Sequence, residues 1–302
     1  MRKVCAIISA AAMLAVAGSA QANLLVYEGF AGYGGVGSDI AGQAGSTAIG
    51  FGEAAWSGSG GGGLGNKNLD ADTLTYTDAN GSALVVSAGS ARSNGTWNRL
   101  HRGLGAGNDN LFASKPGGGS VWVSYLFRPN GAPDGGPNQV RFYGAGGWDS
   151  NDKVSFDVVS ESPAFRHQVQ SFVWAVSGTR GGGALFRANQ PVTSEANLIV
   201  AQYILDDSDV AGNQSAVYMW INPLIGGLDP DTMAASSSLT GLGGMGGINR
   251  LSIAADANGD FQVNWDEIRV GTSFSSVTPV IPEPASIAVL GAVAAMALRR
   301  RA

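Results

Sequence analysis

The residues of this chain that could carry chemistry are few, and their spacing argues against most reactions. Hydrolysis of a glycan needs two carboxylates flanking the scissile bond. Between residues 23 and 281 the glutamates are Glu28, Glu53, Glu161, Glu195 and Glu267. Asp157 and Glu161 come nearest to a pair, at a spacing that places both on one face of a strand. Ser160-Glu161-Ser162-Pro163 reads as a turn, however, so the two are not expected to converge. A nucleophilic triad needs a base, and the two histidines are His101 and His167. His101 lies in the basic run Arg99-Leu100-His101-Arg102, read as a loop, and His167 opens a strand beside Arg166. Neither has a Gly-x-Ser-x-Gly elbow to serve. The glycine run 60–63 lacks the Gly-Lys-Ser/Thr of a phosphate cradle. No enzymatic activity is expected.

Metal and ligand chemistry can be weighed in the same way. Asp256, Asn258, Asp260, Gln262, Asn264 and Glu267 fall at the ligand positions of an EF-hand count. Phe261 stands where that loop requires glycine, and Phe261-Gln262-Val263-Asn264-Trp265 alternates like a strand, which would scatter the ligands over two faces. A polar hairpin turn is the expected outcome. Sugar binding would use exposed aromatic faces beside Asn and Asp edges. Trp56, Trp97 and Trp148 lie in Gly-, Ser- and Asn-rich stretches and are the candidate ligand-binding residues. Packing beneath a loop is the alternative for each. Trp122, Trp174, Trp220 and Trp265 sit in strand-like runs and are expected in the core.

The elements that must position these residues are strands. Alternating or β-rich runs cover 23–30, 74–77, 83–88, 120–128, 139–143, 153–160, 168–176, 215–221, 248–254 and 261–270. The stretch 196–205 (ANLIVAQYIL) fits helix or strand by periodicity and is read as strand from its neighbours. Asn80-Gly81 supplies the φ > 0 of a hairpin turn. The run 120–128 (SVWVSYLFR) carries large side chains on both faces and is expected to be central. Residues 31–66 read as a long glycine-rich surface loop with one or two short strands. Amphipathic helical patterning is almost absent. The fold class is therefore all-β, an antiparallel two-sheet sandwich forming one domain over 23–275, with a linker over 276–281.

The ends carry the clearest signals. Arg2 and Lys3, an apolar run over 4–16, and Ala20-Gln21-Ala22 make a secretory signal peptide, with cleavage expected after Ala22. The one cysteine, Cys5, lies within the removed segment, so the mature chain has neither a thiol nor a disulfide. Residues 23–281 hold 13 basic and 22 acidic residues, a net charge near −9 that argues against nucleic acid and anionic lipid as partners. At the other end stand Pro282-Glu283-Pro284, an apolar run over 285–298 interrupted by Ser286 alone among polar residues, and Arg299-Arg300-Arg301. The run is short against the roughly 20 residues of a full bilayer span, and its arginines are expected to stay cytoplasmic.

Plug, apolar run and basic end together resemble the PEP-CTERM sorting signal of exported bacterial proteins. The resemblance implies that residues 282–302 hold the protein transiently in the inner membrane and that an exosortase-type transpeptidase processes it. It further implies delivery to the cell surface or extracellular matrix. Within the passenger, VYEGF, VWVSYLF, VYMWINP and WDEIRVGTSF resemble the concanavalin-like, laminin-G-like jelly rolls. That resemblance implies first and last strands lying side by side. It also implies a single structural Ca²⁺ held by Glu28 and Asp266, unless these are edge charges or pair with Arg269. The expectation is a non-enzymatic exported surface component that contacts extracellular polysaccharide. The alternatives are a lectin-like carbohydrate-binding module and, third, a glycan hydrolase of the jelly-roll superfamily.

Overall fold

The computed structural model describes residues 23–59, 67–93, 98–108, 111, 119–130, 138–144, 153–161, 164–172, 184–189, 195–204, 215–242, 248–255 and 262–281. Fifteen strands are defined among them: β1 (Leu24–Glu28), β2 (Ser57–Ser59), β3 (Lys67–Asp70), β4 (Ser90–Ser93), β5 (Asn98–Gly103), β6 (Ser120–Asn130), β7 (Asn138–Gly144), β8 (Lys153–Glu161), β9 (Ala164–Phe172), β10 (Ala184–Asn189), β11 (Asn197–Ile204), β12 (Ser215–Ile221), β13 (Ser237–Leu242), β14 (Ile248–Ala255) and β15 (Gln262–Gly271). They form two antiparallel sheets. The larger runs β13-β12-β11-β6-β15-β4-β3 with β1 also on β15, and the smaller runs β10-β9-β8-β7-β14-β5-β2. The stretch 196–205 is strand, as its neighbours suggested, and β6 lies inside the larger sheet between β11 and β15.

The side chains of β6 show why the sandwich closes. Val121, Val123, Tyr125 and Phe127 enter a core shared with Val140 and Phe142 of β7 and Leu251 and Ile253 of β14. That core lies between the sheets. The alternate residues Trp122 and Leu126 face the other way, into a second cluster with Leu198, Val200 and Trp220. A sheet buried on both faces needs near-continuous apolar strands, and β6 and β11 have them. The outer face is covered by Leu74, Tyr76 and Leu84, by Ile225, and by Phe274 and Val277 of the short helix α1 (Phe274–Val277). Trp122 stacks on Trp220 at 5.7 Å between ring centroids and meets Phe274 at 5.5 Å.

Four sequence expectations change here. The linker over 276–281 is packed: Val277 is buried, Val280 bridges to Leu84, and the Ile281 amide donates to the Ala83 carbonyl. Covering Trp122 and Leu126 requires that segment to return across the sheet. The run 99–102 is not a loop but lies within β5, paired with β14 and β2. Residues 31–59 are more than a surface loop, since Ile40 and Trp56 are wholly buried in the inter-sheet core. Around Asn80-Gly81 the turn forms, with an isolated bridge between Thr77 and Ala83 instead of two regular strands.

Candidate functional site

The described carboxylates of interest gather on β1 and β15, the first and last strands, which pair antiparallel with Glu28 opposite Ile268. The far edge of β15 is divided: β4 pairs at Asn264 and Trp265, and β1 takes over from Ile268 onward. Between the two lies a bulge, because the register against β6 shifts between Asp266 and Arg269. Glu267 is the inserted residue and adopts φ 54°. A left-handed conformation at a non-glycine residue costs about 1–2 kcal/mol, so surrounding bonds must hold it.

Those bonds are present. The Glu267 carboxylate accepts from Tyr27 Oη (3.0 Å to Oε2), from the Ser87 amide and from Arg269 Nη2. The Arg269 guanidinium lies 5.4 Å from the Tyr27 ring centroid, and its Nη2 also reaches the Val85 carbonyl. Burial, then the charge of Glu267, pushes the Tyr27 hydroxyl well above the usual phenol range. Asp266 accepts from its neighbour's amide at 2.8 Å and from the Leu74 amide at 3.2 Å. Its pKa is raised, first by burial and then by Glu267, against the lowering effect of those two amides and Arg269. This cluster fastens the outer cover, through Leu74, Val85 and Ser87, to the larger sheet.

Glu28 belongs to a different constellation. Its side chain is buried, with Arg102 Nη1 3.0 Å from Oε2, Tyr33 Oη donating at 2.7 Å, Trp56 Nε1 at 3.2 Å and the Phe30 amide at 3.0 Å to Oε1. Arg102 also donates to the carbonyls of Glu53 and Ala54 and packs 4.4 Å from the Phe51 ring centroid. Burial raises the Glu28 pKa, and the Tyr33 and Phe30 bonds lead the opposing effects. A Cβ at Gly29 would displace Ser87 Oγ and the Tyr27 hydroxyl, which bond the Gly29 carbonyl and Glu267.

The proposed calcium pair is therefore not assembled. Glu28 pairs across the strand with Ile268, whose side chain is in the inter-sheet core, whereas Asp266 pairs with Leu126, which faces the outer cluster. Two carboxylates on opposite faces of one sheet cannot share an ion. Among the described residues no group of three or more His, Cys, Asp or Glu side chains converges as a metal site would require. Asn264 and Glu267, the last two positions of the EF-hand count, lie in β15; Asn264 instead donates to Ser90 Oγ at 2.7 Å and Asp70 at 3.2 Å.

Trp56 is also a correction. It is 1% exposed, its ring stacks 6.2 Å from Phe30 and its indole N–H is committed to Glu28 and Tyr33. It cannot present a face to a sugar, because the glycine-rich stretch folds it inward. Trp97, Trp148, Ala20, Ala22, Pro282, Glu283, Pro284, Arg299, Arg300 and Arg301 lie outside the described residues. Asp157 stands opposite Gln168 and Glu161 opposite Ala164 at the end of the β8–β9 hairpin. His101 lies in β5 opposite Ser252, its pKa lowered by burial and then by Arg250.

Sequence reasoning gave Tyr33 no role, read Arg102 as part of a basic loop, counted Glu267 only as an EF-hand position and named Arg269 only as an alternative partner of Glu28 and Asp266. For Arg102 a signal existed: in a strand, Leu100 and Arg102 share a face, so an apolar Leu100 carries Arg102 inward. For Glu267 there was none, because a bulge is set by pairing and not by residue type.

No family model matches the chain, and no curated protein does. Among solved structures, the globular domain of T. cruzi calreticulin is similar at 9% identity and TM-score 0.42, over 77% of this chain and 91% of that one. The VIP36 exoplasmic/lumenal domain, in its Ca²⁺/Man3GlcNAc-bound form, is similar at 9% identity and TM-score 0.36, over 74% and 88%. A PL-14 alginate lyase from Aplysia kurodai is similar at 8% identity and TM-score 0.41, over 66% and 87%. At these TM-scores the likeness carries no conclusion about fold or activity.

Proposed function

We propose that this is an exported, non-enzymatic surface protein: a jelly-roll passenger carried to the outside by its signal peptide and sorted through its C-terminal tail. The observation that carries the reading is the order Pro282-Glu283-Pro284, apolar run over 285–298, Arg299-Arg300-Arg301, which follows directly on Ile281, whose amide is bonded to the Ala83 carbonyl. An exosortase-type transpeptidase would act at this tail. The buried carboxylates fit a structural passenger, because Glu28, Asp266 and Glu267 are all committed to amides, hydroxyls and arginines of the protein itself.

The role outside the cell is that of a matrix component contacting extracellular polysaccharide through Trp97 and Trp148. The experiment is the intact mass of the exported protein from hosts with and without the sorting enzyme. A chain starting at Asn23 and ending near Pro282 only when the enzyme is present supports the reading. A full-length tail in both hosts, with the protein in the membrane fraction, would reduce the tail to a permanent anchor.

A further inference from the structure

Seven large apolar side chains are exposed among the described residues, and they are not scattered evenly. Val36 and Ile49 lie in the glycine-rich stretch, but Val85, Leu224, Leu228, Met233 and Ile281 belong to three segments packed on one another. The Val85 amide donates to the Pro279 carbonyl at 2.8 Å, and the Ile281 amide to Ala83 at 2.9 Å. Gly226 approaches Val280 so closely that an added Cβ would lie 3.3 Å from its Cγ1. The rim formed by 83–85, 222–233 and 279–281 is thus continuous.

The loop in this rim is tied down, so its apolar side chains cannot fold away. The Ile225 amide donates to Asp78 Oδ2 at 2.8 Å, Tyr76 Oη to the Pro223 carbonyl at 2.8 Å, and Trp220 Nε1 to the Asp231 carbonyl at 3.1 Å. Asp231 then caps the 3₁₀ turn Thr232–Ala234 by accepting from the Met233 amide at 2.9 Å. Leu228 and Met233 are left 93% and 91% exposed.

Where the chain leaves this rim says what covers it. Ile281 is fixed at the rim, and the apolar run begins at residue 285, four peptide steps later. Fully extended, four residues reach about 14 Å at most. A tail set in a bilayer therefore keeps Ile281, and with it this rim, within about 14 Å of the headgroups.

We propose that the rim of Leu224, Leu228, Met233 and Ile281 is a membrane-apposed surface, whose partner is the zwitterionic lipid of the bilayer that holds the tail. Asp229 and Asp231 border Leu228 and Met233, so the contact is made by apolar insertion and is opposed by anionic headgroups. The inference rests on the membrane reading of residues 285–298, and the test separates the two.

Full-length chain carrying Cys5→Ser would be reconstituted into phosphatidylcholine vesicles containing spin-labelled lipid. A fluorophore would be attached in turn through Leu228→Cys, Met233→Cys, Val36→Cys or Ala294→Cys. Quenching at Ala294→Cys reports insertion of the tail. With the tail inserted, fluorophores at Leu228→Cys and Met233→Cys are expected to be quenched severalfold more than at Val36→Cys. Equal quenching at all three body positions, with Ala294→Cys quenched, overturns the surface while leaving the tail in place. No quenching at Ala294→Cys overturns the tail reading and the surface with it. Stronger quenching at Leu228→Cys after adding phosphatidylglycerol would assign the contact to charge and overturn its apolar basis.

Discussion

Arg102 Nη1 lies 3.0 Å from Glu28 Oε2 across the interior of the sandwich, joining the smaller sheet at β5 to the larger at β1. Both side chains are almost fully removed from water, at 6% and 0% exposure. Removing one member of a buried pair leaves the other uncompensated, at a cost of about 3–5 kcal/mol. Glu28→Ala and Arg102→Ala are each expected to destabilise by that amount in chemical denaturation. The double variant is expected to lose less than the sum, because no charge is then stranded.

Glu267 offers a test of the bulge. Glu267→Ala and Glu267→Gly both remove the carboxylate that holds Tyr27, Ser87 and Arg269. Only alanine retains the penalty for φ 54°. Glycine is therefore expected to be the more stable of the two by about 1–2 kcal/mol, read as a difference between denaturation midpoints at matched slope.

The pH dependence follows from Glu28 and Asp266. Burial is the first cause of the raised pKa in each, followed at Asp266 by the charge of Glu267. A folded-state pKa above the unfolded value means that the folded protein holds its proton more tightly. Stability is then greatest below the ordinary carboxylate pKa of about 4 and falls as pH rises through the raised values. Unfolding midpoints should accordingly decline above about pH 4, and Glu28→Gln and Asp266→Asn should each flatten the decline. His101 works in the opposite sense: its lowered pKa costs stability as pH falls below about 6.5. A His101→Gln background removes that contribution and isolates the carboxylates.

The tryptophans separate packing from binding. Trp56→Ala opens the inter-sheet core and removes one of the donors to Glu28, so a loss of about 3–5 kcal/mol is expected. Trp97→Ala and Trp148→Ala are expected to reduce retention on an extracellular-polysaccharide column while leaving the unfolding midpoint in place. Loss of retention in Trp56→Ala alone, at a temperature where it remains folded, would contradict that assignment.

By itself the sequence determined that this is a strand-built body, that β6 is central and which tryptophans of β6, β12 and β15 are buried. Alternation with period two records which face a side chain takes, and a run apolar at every position records burial on both. Trp122, Trp220 and Trp265 were legible for that reason. Only the tertiary structure decided the rest. Whether Trp56 faced a ligand or the core depended on Phe30 and Glu28, which lie 26 and 28 residues away along the chain. Whether Glu28 and Asp266 could meet depended on which face each takes once β1 and β15 pair and β15 bulges at Glu267. Pairing partners and register are long-range properties, and a one-residue shift reverses every face beyond it.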